Sequence, residues 1–147
     1  MRKFPGPALA LVDAYRAEAA AHPPSAIAFA GAPGCNSHRA AESFAPGVPV
    51  LPCYGFEDAL DAVHGGAAGM AMIPIDNSQA GRVADIHMLL PDSGLYIVAE
   101  QFLPITHALM GLGPGPFEGA WSHPHALAQS RQFLQQRGIA GPSYADT

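Results

Sequence analysis

Charge is scarce in this 147-residue chain. Asp, Glu, Lys and Arg make up 13% of it, with seven basic residues against twelve acidic ones. A protein that grips a phosphate backbone needs a basic stripe to displace counterions. A net charge of -5 supplies none, which excludes a nucleic-acid partner. Cysteine is equally sparse. Cys35 and Cys53 form no CxxC pair, so neither a disulfide framework nor a zinc ribbon has its ligands, and two reduced thiols in a cytoplasmic protein are expected. Long apolar runs are missing too. No stretch approaches the ~18–20 residues needed to cross a bilayer, so no membrane partner is expected. Ala8–Val12 after Arg2 and Lys3 imitates a secretion signal. However, Pro5 and Pro7 precede it and Asp13 and Arg16 follow, which reads as an amphipathic helix from about Pro7 to Ala21. Two catalytic signatures are also lacking. There is no GxSxG elbow, and Gly111, Gly113 and Gly115 sit in a Pro-rich loop with no helix after them.

What is present is apolar sequence, 49% of the chain, enough for one domain or two small lobes with a real core. After the linker His22-Pro23-Pro24, strands are expected at Ser25–Ala30, Val48–Leu51 and Met70–Ile75. Helices are expected at Ser37–Phe44, Phe56–His64 and from the Asp76-Asn77-Ser78 turn to Leu90. Leu95–Phe102 and Ile105–Leu112 read as two further strands. Ala120–Ser122 reads as a brief one, Pro124–Arg137 as a helix stopped by Gly138, and Ile139–Ala145 as a last strand. Alternation of strand and helix implies a mainly parallel α/β sheet, with ligands off the carboxyl ends of its strands.

Three strand-to-helix junctions carry polar residues: Gly31–Ser37, Asp76–Gly81 and Ser122–Gln129. Free N–H groups at a helix start, joined by hydroxyls and amides, suit an anion or carboxylate. Ser37, Asp76, Asn77, Ser78, Ser122, His123 and Gln129 are the candidate contacts. Ordinary helix capping by Ser37 and Ser78 is the plain alternative, with Asp76 a first-turn acid favourable to the helix dipole. His123-Pro124-His125 invites a metal reading. A Pro between ligands at a helix start is poor chelating geometry, though, and no third ligand has supporting spacing, so no metal is expected. His87 and His107 read as packed or surface histidines.

Four stretches carry a resemblance: IAFAGAPGCNSHRAA at 27–41, LPCYGFEDALDAV at 51–63, AMIPIDNSQAGRVADIHMLLPDSGLYIVAEQFLPITHALM at 71–110 and SHPHALAQSRQFL at 122–134. Together they resemble the prephenate dehydratase family. The resemblance implies a two-lobed, periplasmic-binding-protein-like α/β domain with the active site in the cleft between the lobes. Residues 1–24 would form an N-terminal helix and linker, 25–77 lobe one and 78–147 a partial lobe two. It implies decarboxylating dehydration of prephenate to phenylpyruvate in L-phenylalanine biosynthesis, a small dicarboxylate substrate, no cofactor and self-association into a homo-oligomer. Asn77 matches the family's Asn in Pro-Ile-Glu-Asn-Ser, and Gln129 the Gln of its His-Pro helix; both are the implied catalytic residues. Ser37 and His123 match pocket positions. Asp76 stands where the family has Glu, Cys35 replaces a small residue, and His125 replaces a common Gln. The family's Thr-Arg-Phe tripeptide, whose Thr is the implied proton donor, and its ACT regulatory domain are not in the sequence. A C-terminally truncated chain with impaired turnover and no phenylalanine feedback is therefore expected. Arogenate dehydratase, a non-catalytic carboxylate-binding module and a decayed paralogue are the alternatives.

Overall fold

A computed structural model describes residues 4–78 and 81–142. The chain divides into two compact units, Met1–Asn77 with Gly81–Pro104 and Ser78–Ala80 with Ile105–Thr147.

The first unit is built on a parallel sheet. Helix α1 (Leu9–Ala21) follows a short 3-10 turn at Gly6–Ala8 and leads to β1 (Ile27–Ala30). Next come α2 (Asn36–Phe44), β2 (Val50–Cys53), α3 (Phe56–His64) and β3 (Met70–Met72). The strand order is β2-β1-β3, all parallel, with Ile27 opposite both Val50 and Met70. The first crossover steps to one side of β1 and the second steps back past it. With one handedness for both, α2 and α3 fall on opposite faces of the sheet. The sequence Ile27-Ala28-Phe29-Ala30 suits this because its alternate residues differ in size. Ile27 and Phe29 pack with Val50 and Ala41 on the α2 face. Ala28 packs with Cys53, Ala59, Ala68 and Ala19 on the other, where small side chains let helices approach closely.

Edge strand β2 contains a proline and still pairs. The carbonyls of Pro49 and Cys53 accept from Ile27 and Gly31 on the β1 side, so the alternate residue Pro52 turns its backbone away from β1. No ladder N–H is required there. Its carbonyl instead accepts from Arg16 Nε and Nη2, both at 3.3 Å, and α1 thereby covers the sheet edge.

Past β3 the chain departs from expectation. The Met70 strand ends at Met72 rather than Ile75, and the polar turn opens a small antiparallel hairpin instead of a helix. Strand β4 (Asp76–Asn77) pairs with β5 (Gly81–Arg82), Asn77 opposite Gly81. Helix α4 (Ala84–Leu89) begins only after Val83. Leu95–Phe102 and Ile105–Leu112 form no strand. Tyr96, Ile97 and Val98 are all largely exposed, and among the described residues no strand pairs with this apolar run. β-Propensity cannot act without a pairing partner.

In the second unit the expected single helix Pro124–Arg137 is two, α5 (Pro124–Gln129) and α6 (Arg131–Gln136), broken at Ser130. Among the described residues, the expected strands at Ala120–Ser122 and Ile139–Ala145 appear as isolated bridges, with Gly119 parallel to Ala140, Ser122 in a bridge of its own and Ala120 N–H donating to Ala140 O at 2.7 Å. Residues 143–145 lie outside the described residues. Among the described residues of this unit, Leu134 and Ile139 are the buried apolar ones.

Candidate active site

The first junction is a glycine loop that carries β1 into α2. Gly31 and Gly34 take φ of 117° and 90°, values that only glycine adopts readily. Cys35, not Ser37, is the N-cap residue of α2, and no side chain caps the helix there. Ser37 is the second helical residue and half-buried, so its hydroxyl is not consumed by capping. The loop is pinned from within the helix instead. Gly34 N–H donates to His38 Nδ1 at 2.9 Å, and the buried His38 ring stacks on Phe29 with centroids 5.0 Å apart. A neutral His38 therefore carries its proton on Nε2, which faces Glu42 Oε1 at 3.5 Å.

At the second junction the hairpin, not a helix start, presents Asp76, Asn77 and Ser78. Asp76 Oδ1 accepts from Asn77 N–H at 2.7 Å, so Asp76 orders the Asn77 backbone and is no first-turn acid. Ser78 stands in the hairpin turn, exposed, and cannot cap a helix that begins at Ala84. Gly81, at φ 80°, permits the tight return.

The third junction lies in the second unit. His123 is the N-cap of α5, and its Nδ1 accepts from His125 N–H at 3.2 Å. A neutral His123 is thus protonated on Nε2, a donor suited to a carboxylate oxygen. Ser122 precedes it, half-buried. Gln129 ends α5, and its Oε1 lies 2.7 Å from His107 Nε2. Ser37, Asp76 and Asn77 therefore belong to the first unit, and Ser78, Ser122, His123 and Gln129 to the second.

Sequence reasoning missed two histidines. His38 fixes the glycine loop, and the only trace of this is its four-residue spacing from Gly34. His107, read as a packed or surface residue, touches Gln129 across 22 residues with no shared pattern to reveal it.

An open groove of about 600 Å³ lies at the carboxyl ends of β1 and β2, where such sheets hold ligands. Gly31, Tyr54, Glu57 and Asp85 line it, and none of the seven candidate residues does. Glu57 and Asp85 are exposed carboxylates in its wall and disfavour an anion there. Among the described residues, no group of three or more His, Cys, Asp or Glu is arranged to hold a metal ion. No helix there is long and apolar enough to cross a membrane.

Residues 27–147 match the family described as prephenate dehydratase. The chain belongs to the prephenate dehydratase family. A bifunctional N-acyl-homoserine lactone acylase/prephenate dehydratase of Komagataeibacter europaeus is 43% identical over 116 residues, 77% of this chain and 41% of that protein. A bifunctional chorismate mutase/prephenate dehydratase of Enterobacter agglomerans is 35% identical over 75% of this chain and 30% of its own length. The chloroplastic arogenate dehydratase/prephenate dehydratase 1 of Arabidopsis thaliana is 38% identical over 82% and 32%. Among solved structures, GqqA, described as a novel type of quorum quenching acylase, superposes with a TM-score of 0.69 at 42% identity, covering 83% of this chain and 45% of that one. The prephenate dehydratase domain is periplasmic-binding-protein-like, and the α/β fold with its parallel sheet agrees. The chain spans less than half the length of each of these relatives.

Proposed function

We propose that this chain binds prephenate for its decarboxylating dehydration to phenylpyruvate, a step of L-phenylalanine biosynthesis. In that reaction the bond to the departing carboxylate breaks and its electron pair enters the ring. Hydroxide leaves from the opposite ring carbon and takes a proton to become water. Aromatisation supplies the driving force, so the protein's task is to hold two carboxylates and protonate the leaving group, with no cofactor. Asn77 and Gln129 serve as amide donors at the reacting end, and Asp76 keeps the Asn77 backbone in place. Ser37, Ser78, Ser122 and the Nε2–H of His123 hold carboxylate oxygens.

The observation that carries this reading is the family match along residues 27–147. Calorimetric titration of the chain with prephenate, run beside an ultraviolet assay for phenylpyruvate, tests it. Saturable binding that weakens tenfold or more in N77L is expected; no binding by the unaltered chain overturns the reading. Arogenate in the same titration distinguishes the neighbouring substrate, which carries an ammonium where prephenate has a ketone.

A second reading rests on the identities of 42–43% to proteins described as acylases. Acyl transfer through Ser122 and His123 would need His123 as a base. With its Nδ1 occupied by His125 N–H, the neutral ring offers a donor at Nε2 instead. Consumption of an N-acyl-homoserine lactone by the chain would revive this reading.

A further inference from the structure

We propose that His38 makes the glycine loop before α2 sensitive to pH, uptake of a proton by the ring releasing the loop; the inference stands apart from the prephenate reading. Gly34 N–H donates to His38 Nδ1 at 2.9 Å, and only a ring with a lone pair on Nδ1 can accept it. The imidazolium carries N–H at both nitrogens. Its Nδ1–H would face the Gly34 N–H, donor against donor, so the bond and the second proton exclude each other. A buried ring cannot hand that bond over to bulk water, and His38 is only 5% exposed. The loop therefore has to move for the proton to enter. Gly31 and Gly34, at φ of 117° and 90°, supply the backbone freedom for that movement. The charged ring also has a counter-charge in place, since Glu42 Oε1 lies 3.5 Å from Nε2. From the neighbouring elements, α1 brings the Tyr15 phenol, its ring 5.2 Å from that of His38, and β1 the uncharged Phe29 ring at 5.0 Å. Cys35 packs, half-buried, against the cluster that holds Phe29. Two arrangements result: a neutral ring under a closed loop, and an imidazolium paired with Glu42 beneath an open one. Histidine ordinarily changes charge between about pH 5 and 8, which sets the range a titration has to cover.

Amide hydrogen exchange and ring-nitrogen chemical shifts of the full 15N-labelled chain, followed from about pH 8 to 5, test this. Exchange at Gly34 is referred to that of an unstructured amide at each pH, which removes the intrinsic pH dependence of the chemistry. Protection of Gly34 is expected to fall about tenfold, the measure of one lost hydrogen bond, along the same curve as the His38 ring titration. The Ile27 amide, which donates to Pro49 O at 2.9 Å within the sheet, should keep its protection because only the loop opens. H38N keeps an acceptor near Nδ1 that takes up no proton in this range, and Gly34 should stay protected throughout. E42Q removes the neighbouring carboxylate's own titration, and the Gly34 and His38 curves should still coincide. Gly34 protection that stays flat while the His38 ring titrates overturns the inference, and so does a ring that stays neutral until the whole chain unfolds. A fall at Gly34 that persists in H38N overturns it too. Should H38N fold poorly, the two wild-type curves decide by themselves. None of these readouts involves prephenate, so failure here and failure of the functional reading are separate results.

Discussion

His38 Nδ1 accepts the backbone N–H of Gly34 at 2.9 Å, so the first turn of α2 holds the loop that precedes it. The contact is partly buried, and an unmet N–H in that setting costs roughly 1–3 kcal/mol. H38F keeps a ring against Phe29 and Tyr15 but removes the acceptor. Its unfolding free energy should fall by about that amount, and the Gly34 amide should exchange faster with solvent. H38N restores an acceptor near Nδ1 and should re-protect the Gly34 amide, even though loss of the ring costs further stability. Hydrogen exchange at Gly34 reads both outcomes.

Burial drives the Cys53 thiol from the ordinary 9.0 up to about 11. Arg16 opposes the rise, Asp58 adds to it, and a backbone hydrogen bond with Phe29 lowers it slightly. Folding therefore favours the protonated thiol. Its contribution is fully present below pH 9 and is lost between pH 9 and 11, where the unfolded chain gives up the proton first. A loss on the order of 2–3 kcal/mol follows from about two pKa units. Denaturant titrations of wild type and C53A across this range should show the extra slope in wild type alone.

Arg16 lies within cation–π range of the stacked Phe4 and Tyr54 rings, 5.3 and 5.2 Å from their centroids, while donating twice to Pro52 O. R16M keeps the alkyl stem and removes both interactions. It should lose about 1–3 kcal/mol by chemical denaturation. R16K should recover only part of this, because an ammonium lacks the flat fork that stacks and donates together.

Gly69 leaves no room for a side chain, since a Cβ there would run into the backbone carbonyl of Pro24. Its own N–H donates to Ala26 O at 3.0 Å, and that bond holds the chain in place as it enters β3. G69A should cost about 3 kcal/mol, because the obstacle is backbone and cannot rotate aside. G6A, where a Cβ meets nothing within 4 Å, should be nearly neutral, and thermal midpoints compare the two.

The parallel sheet of the first unit was legible because β1 is buried along most of its length and the helices beside it carry one apolar stripe. SAIAFA and FEDALDAVH leave few alternatives once Gly65-Gly66 stops the second. Legibility failed wherever structure depends on a partner outside the local pattern. LYIVAEQF has every strand preference, yet in the described residues it meets no strand to pair with. Asp76-Asn77-Ser78 looked like a helix start because Val83, Ile86 and Leu89 have helical spacing, but Gly81 folds the turn back into a hairpin before the helix begins. The candidate residues stood out as motif positions, whereas His38 and His107 did not. Each acts through one hydrogen bond to a group its own pattern does not name.

The account centres on prephenate held by Asn77, whose backbone Asp76 orders. Titration of prephenate into the 15N-labelled chain tests this most directly. The Asn77 side-chain amide should shift and saturate at the midpoint that calorimetry gives. Saturable binding of prephenate that leaves the Asn77 amide unshifted would contradict it.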